Sequence, residues 1–450
     1  MLGFETIGNA TLIVYDGVPV LATDPWVNGD AYFGSWGLSH EIPPEQLSAI
    51  QACKYLWVSH GHPDHLNVAS IAALSDKEIL LADHRGGRIR GDLEGMGFKV
   101  RILPERTWVA LSDHVKVMTL SDYNQDSILF VDVGGRLLVD LNDASDHGWG
   151  RFLKSVTAQY TESYLLRLWG YGDADMNNFF TEEGKRIELP PASSKPPLGR
   201  TIQADAIKNG IRYAIPFSSF HRYQRVDSVW ANRLSAPMEN YLAGQNPDGP
   251  QVLPAFLHVD AVTGAWKEIK PRSLAEEVRQ PEEFGDKWTD PLTADEKEMV
   301  RTYFVSKEMV RDKFGFLRFR VGGNEFTVDL NRSRRNCGIT FELPRQSLVT
   351  AVQYRVFDDL LIGNFMKTTL HGLSSLYPDF SPFVGKYADN GQAESKRELR
   401  NYFHHYRKKD PVGHLFRNLE ENSESMFRKL VPHDSMVFRS AKALYWKMQQ

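Results

Sequence analysis

The first 170 residues alternate short apolar runs with polar turns, and this rhythm limits the fold more than any other feature of the chain. Thr11 to Pro25 alternates around Asp16-Gly17, a hairpin signal, and Ser127 to Asp143 is divided in the same way by Gly134-Gly135. Lys54 to His60, Glu78 to Asp83, Lys99 to Glu105, Val115 to Asp122 and Tyr164 to Gly170 read as further strands. Between them, Val68 to Asp76 and Gly87 to Gly97 carry apolar residues at helical spacing. Strands interleaved with helices predict an α/β protein.

Two stretches break the rhythm. Glu188 to Arg200 is rich in proline, which cannot lie inside regular elements; strand-like Tyr213 to Phe217 follows it, so it reads as a surface insertion. A polar, proline-rich stretch then runs from about Ala236 to Pro291, before a helical segment, a hairpin over Phe316 to Asn331 and a helical, partly basic tail from Ser395. We therefore expect an α/β unit over 1–235, a connecting segment over 236–300 and an α+β domain with a helical tail over 301–450.

Composition removes several function classes. The 450 residues carry 53 Lys plus Arg against 57 Asp plus Glu, so no global positive field would attract nucleic acid or an anionic membrane. No apolar run reaches the roughly 18 to 20 residues of a membrane span, and no basic region precedes the first apolar stretch, so a cytoplasmic protein is expected. Only Cys53 and Cys337 are present, which excludes a disulfide framework, and neither stands in the C-x-H setting of a Rieske cluster. Metal chemistry on this chain must use histidines and carboxylates.

Those residues are concentrated after the apolar run YLWV, in Ser59-His60-Gly61-His62-Pro63-Asp64-His65. His60 and His62, two apart where the chain leaves a strand, can aim imidazoles at one metal, while Asp64 and His65 reach a second. Imidazole with carboxylate suits zinc or iron, and two close metals can activate a water between them.

The H-x-H-x-D-H motif after an apolar strand resembles the signature of the metallo-β-lactamase fold superfamily, and the likeness covers about residues 1–235. It implies an αββα sandwich, here followed by the smaller α+β domain. It also implies that Asp24, in Thr23-Asp24-Pro25-Trp26, backs the metal loop, that Asp143 bridges two metals and that His221 binds the second with Asp64 and His65. The family's third histidine for the first metal, beside His60 and His62, is missing; Asp122 is its best-placed substitute, with Asn124 and Asp126 as alternatives. A carboxylate there moves preference from zinc toward iron or manganese. Within the superfamily, Gly8 to Gly17, Thr23 to Trp26, Ala31 to Glu41 and Ile215 to His221 resemble the catalytic part of CMP-N-acetylneuraminate hydroxylases, without their Rieske domain.

The resemblance implies two divalent metal ions and a small-molecule substrate. The first expectation for activity is hydrolysis of an ester, lactone, amide or phosphodiester bond by metal-activated water, with Asp64 and Asp143 as catalytic carboxylates. The alternative is a di-iron monooxygenase acting on a sugar nucleotide or other polar metabolite, which would need an external reductase. Homo-oligomerisation is left open by the sequence. His40, Asp146-His147 and Tyr171 to Phe180 are further candidates for contact near the site, and Lys396 to Lys409 is a basic helix that could dock an acidic partner.

Overall fold

The computed structural model describes residues 1–144, 146, 148–170, 177–187, 195–413 and 415. Among them, two mixed sheets face each other. The first runs in the order Trp266–Glu268, Leu257–Asp260, Leu2–Ile7, Thr11–Asp16, Val18–Thr23, Tyr55–Trp57, Glu78–Leu81, Lys99–Ile102. The second runs Gln251–Val252, Tyr213–Pro216, Ser163–Arg167, Arg136–Asn142, Ser127–Val133, Val115–Ser121, Val109–Ala110.

Residue alternation explains why these strands read as nearly continuous apolar runs. Leu12, Val14, Leu21, Trp57 and Leu80 of the first sheet meet Val117, Leu129, Val131 and Leu166 of the second in one buried cluster. The intervening residues Ile13, Ala22, Leu56 and Phe130 pack outward, where helices lie, with Ile50, Leu93, Leu153 and Ile202. Both faces of each sheet are thus covered, and the unit is an αββα sandwich.

The segment 236–300, expected as a connector, supplies strands to both sheets. Leu257–Asp260 pairs antiparallel with Leu2–Ile7, and Gln251–Val252 pairs with Tyr213–Pro216. These strands are short and sit among prolines, so composition hid them. The chain also crosses the expected boundary in the other direction, since Phe179–Phe180 pairs with Thr368 and Thr369.

That last pairing belongs to a second unit, a five-stranded sheet in the order Phe179–Phe180, Lys367–His371, Gly338–Glu342, Phe316–Val321, Asn324–Asp329. The expected hairpin over Phe316 to Asn331 forms, turning at Gly322-Gly323, both left-handed. Helix Ala294–Ser306 starts with a capping box in which Thr293 Oγ1 accepts from Glu296 N at 3.3 Å and Glu296 Oε2 accepts from Thr293 N at 2.9 Å. Phe304, Phe319, Phe341, Phe357 and Phe380 form the centre of this core.

Basic helix Lys396–Lys409 lies on the sandwich of its own chain. Tyr402 and Tyr406 are buried; the Tyr406 hydroxyl accepts from Arg85 N at 3.1 Å, and Lys409 Nζ donates to Glu105 Oε1 and Ser121 Oγ at 3.0 and 2.7 Å. No helix among the described residues is long and apolar enough to cross a membrane.

Candidate metal centre

Parallel strands that end on the same side bring the candidate ligands together. Strands Val18–Thr23 and Tyr55–Trp57 run parallel, as do Arg136–Asn142, Ser163–Arg167 and Tyr213–Pro216. Asp24, the loop 60–65 and Asp143 directly follow such strands, and His221 lies a few residues past Pro216, so one end of the sandwich collects them.

His60 Nε2 lies 2.9 Å from His62 Nδ1 and 3.8 Å from Asp143 Oδ2. His65 Nε2 lies 3.4 Å from the same Asp143 oxygen and 3.2 Å from Asp64 Oδ2. Donor atoms of His60, His65 and Asp143 fall within 4.8 Å of one another. A second such group joins His62 to Asp358 and Asp359, from helix Phe357–Ile362 of the second unit.

Buried partners fix these side chains. Asp24, fully buried, accepts from Ser59 N at 2.8 Å, Ser59 Oγ at 2.7 Å, His65 Nδ1 at 3.1 Å and Asn142 Nδ2 at 2.7 Å. His65 is thereby held with its Nε2 turned toward Asp64 and Asp143. Asn142 has φ of 45°, a left-handed conformation that asparagine tolerates better than most residues, and it turns the chain so that Asp143 follows the strand end. Asp64 accepts from Asn9 Nδ2 at 3.0 Å and from the Tyr32 hydroxyl at 2.6 Å, and Asp143 accepts from Ser218 Oγ at 3.1 Å.

The electrostatics separate the histidines. Burial, together with the neighbouring imidazoles of His65 and His62 and with Lys386, pushes His60 well below the usual range, which keeps it a neutral donor. Burial also opposes charge on His65, but the carboxylates of Asp64 and Asp143 outweigh it and raise that imidazole well above its usual range. Asp359 is raised far above the carboxylate range by burial and by Asp358, whereas His62 and Lys386 hold Asp358 low despite its burial.

These residues fit divalent metal ions. His221 is 5% exposed and stacks on Trp36 with ring centroids 3.3 Å apart, yet neither of its ring nitrogens has a hydrogen-bond partner. Burial holds it neutral, with a pKa pushed down to about 3, and Asp64 and Asp143 are the carboxylates facing it. A buried unsatisfied polar group costs about 1–3 kcal/mol, and a cation drawn by the surrounding carboxylates would satisfy it.

Asp122, the sequence candidate for the missing ligand, lies at the end of strand Val115–Ser121. Its Oδ1 accepts from the backbone N–H groups of Asn124 and Asp126 at 2.7 and 3.2 Å, so it closes its own turn. A second carboxylate near His60, after Asp143, is that of Asp126, with Oδ1 3.9 Å from His60 Nδ1 and 3.3 Å from Lys386 Nζ. His40 packs against Phe256 and bonds Ser39 Oγ through Nδ1 at 3.0 Å, a local structural role. His147 and residues 171–176 lie outside the described residues; Asp146 pairs with Lys208 at 3.0 Å.

Sequence reasoning missed Asp358, Asp359 and Lys386. The one available signal was a pair of adjacent acids, Asp358-Asp359, inside the apolar run FDDLLIG. A cavity of about 550 Å³ opens over His62, Asp64, Asp126 and Asp143, and residues of the second unit, including Ile362, Leu376 and Lys386, form its opposite wall.

No family model matches the chain. It is similar to the cytidine monophosphate-N-acetylneuraminic acid hydroxylase of Danio rerio, 26% identical over 181 residues, 36% of this chain and 31% of that protein. A Mycobacterium tuberculosis protein described as a Rieske 2Fe-2S iron-sulfur protein is 33% identical over 95 residues, 21% of this chain and 18% of that one. The chain thus spans about a third or less of the length of these relatives. Among solved structures, the metallo-β-lactamase fold protein YhfI of Bacillus subtilis shares 9% identity, with 57% of this chain and 96% of that chain covered and a TM-score of 0.31. With its two facing sheets, outer helices and His-x-His-x-Asp-His loop at the strand ends, the first unit has the αββα metallo-β-lactamase fold.

Proposed function

We propose that this chain is a dinuclear non-haem iron hydroxylase acting on a small polar metabolite. The observation that carries the reading is the donor set. His60, His62, His65 and His221 stand among the carboxylates of Asp64 and Asp143, with a third carboxylate, Asp126, against His60 Nδ1 on the far side of that ring. Imidazole mixed with this much carboxylate suits iron or manganese better than zinc. The similarity to sialic acid hydroxylases supports the same direction and suggests a sugar or sugar-nucleotide substrate.

In this reading His60 and His62 would hold one ion and Asp64, His65 and His221 the other, with Asp143 facing both His60 and His65, while Asp126, 3.9 Å from His60 Nδ1, would orient that ring from its other side. Bound iron supplies dioxygen activation, and the overall change is R–H + O2 + 2 electrons + 2 protons → R–OH + water. The electrons come from a donor outside these 450 residues, whose Cys53 and Cys337 lie in different hydrophobic clusters and cannot share a Rieske cluster. The protein's own part is orientation. Asp24 holds His65 by Nδ1, Asn9 and Tyr32 hold Asp64, and Ser218 holds Asp143. Leu168, Phe179, Ile362 and Leu376 give the cavity an apolar wall, and Lys386 adds a cation to its lining.

Hydrolysis by metal-activated water is the second reading. It is favoured by one observation, that these 450 residues contain no cluster-binding cysteine pair and a hydrolase needs no electron source. The test offers iron- and zinc-loaded protein sugar nucleotides, simple esters and lactones, with and without 18O2. Labelled product formed only with iron, oxygen and a reductant supports hydroxylation. Anaerobic turnover with zinc overturns it in favour of hydrolysis.

A further inference from the structure

His62 is the one loop histidine whose second nitrogen leaves the sandwich. Its Nδ1 faces His60 Nε2 at 2.9 Å, on the side where the other candidate ligands converge, and its Nε2 faces Asp358 Oδ2 at 3.3 Å. Asp358 is 296 residues away in sequence and belongs to the second unit. Imidazole can bind a metal through one nitrogen while donating the other N–H to a carboxylate, which fixes the tautomer and ring orientation and makes the ligand more basic.

We infer that Asp358 is the positioning residue for His62, and that the second unit therefore completes the metal centre rather than serving as an appendage. This inference rests on the dinuclear reading above and assigns a residue that reading does not use. Two features outside the His62 contact agree with it. The side chain of Asp358 lies against Gly385 in the π-helix Phe383–Asn390, so closely that a Cβ on Gly385 would overlap the carboxyl group. That glycine leaves the space Asp358 occupies when it reaches His62. The next residue, Lys386, ends 3.3 Å from Asp126 Oδ1, and Asp126 faces His60. One short segment of the second unit thus touches carboxylates beside both histidines of the first metal position.

The geometry separates this role from direct ligation. A carboxylate hydrogen-bonded to Nε2 acts through the ring and leaves Nδ1 to the metal, so removing it should weaken binding without removing an ion at saturation. Loss of such a partner typically costs about 10- to 100-fold in metal affinity.

The experiment titrates full-length, chelator-stripped protein with Fe2+ under anaerobic conditions and with Co2+, using calorimetry, elemental analysis at saturation and the cobalt absorption spectrum. Wild type should take up two ions. Asp358→Asn, which keeps an acceptor, should bind the weaker ion about 10-fold less tightly and Asp358→Ala up to about 100-fold less tightly. Both should still reach two ions at saturation, with a shifted cobalt spectrum. If the Asp358 variants fail to fold, Gly385→Ala decides: it retains Asp358 but displaces it, and it should weaken binding in the same direction. Unchanged affinity in the decisive variant overturns the inference, as does a drop to one ion at saturation, which would make Asp358 a ligand. Wild type that binds neither ion defeats the dinuclear reading itself, a result distinct from wild type binding two ions with an indifferent Asp358.

Discussion

Asp24→Asn isolates what holds the metal loop. Asp24 Oδ2 receives Ser59 Oγ, His65 Nδ1 and Asn142 Nδ2, while Oδ1 receives Ser59 N, all between 2.7 and 3.1 Å. An asparagine can present its oxygen to only one side. In the better orientation the oxygen keeps the three side-chain donors and the new NH2 confronts the Ser59 N–H, leaving two buried donors unsatisfied at about 1–3 kcal/mol each. Burial raises the Asp24 carboxyl's pKa, so the native charge already costs something that the neutral amide does not. The net loss should lie near ~3 kcal/mol. At about 2–4 °C per kcal/mol for a unit of this size, the metal-free protein should melt about 6–12 °C lower. Metal affinity should fall about 10- to 100-fold, because His65 loses the charged partner that fixes its tautomer. Thermal unfolding with chelator and calorimetric titration measure the two effects separately. A melting temperature and affinity both at wild-type values would refute the argument that Asp24 carries this loop.

His221→Phe should bind one ion instead of two while leaving the metal-free protein at least as stable, since phenylalanine keeps the stack on Trp36 and removes two unsatisfied nitrogens; elemental analysis and melting curves check both. Phe357→Ala, at the centre of the aromatic core with Phe304 and Phe341 each 5.1 Å away, should destabilise the second unit by about 3–5 kcal/mol, read by denaturant unfolding. Burial holds His40 neutral down to about 4, whereas the unfolded chain takes up the proton near 6.5, so stability falls as pH drops from 6.5 toward 4. His40→Gln should therefore remove about 2 kcal/mol of the acid destabilisation between pH 7 and pH 5, measured by urea unfolding at each pH.

The sandwich was legible because its signals are local. Hairpins at Asp16-Gly17 and Gly134-Gly135 and strands buried on both faces leave period and turn signatures that need no knowledge of distant contacts. The loop 60–65 was legible for the same reason, its residues being neighbours in the chain. The strands at 251–268 were not, because they owe their structure to pairing with Leu2–Ile7 and Tyr213–Pro216, and their own composition is that of a linker. Asp122 illustrates a third case. Position along the strand made it the natural replacement for a histidine; what the strand pattern could not show is that its Oδ1 bonds the backbone of its own turn and that Asp126, two residues past Asn124, approaches His60 Nδ1.

Asp358 marks the limit of local reading and also explains the architecture. A helix of the second unit carries two adjacent acids into an interior where isolated charges are expensive, and one of them, Asp358, faces His62 directly across the boundary. Burial and its neighbour Asp358 raise the Asp359 carboxyl, whereas His62 and Lys386 lower Asp358 against its burial. Folding of the two units is thereby tied to the arrangement of the histidine loop. Each unit covers polar groups of the other, and the cavity over the ligands exists only where both walls are present. A change that loosens the second unit should consequently reach the metal centre through His62 before it disturbs the sandwich core, whose sheet-to-sheet cluster contains no residue from beyond Ala261.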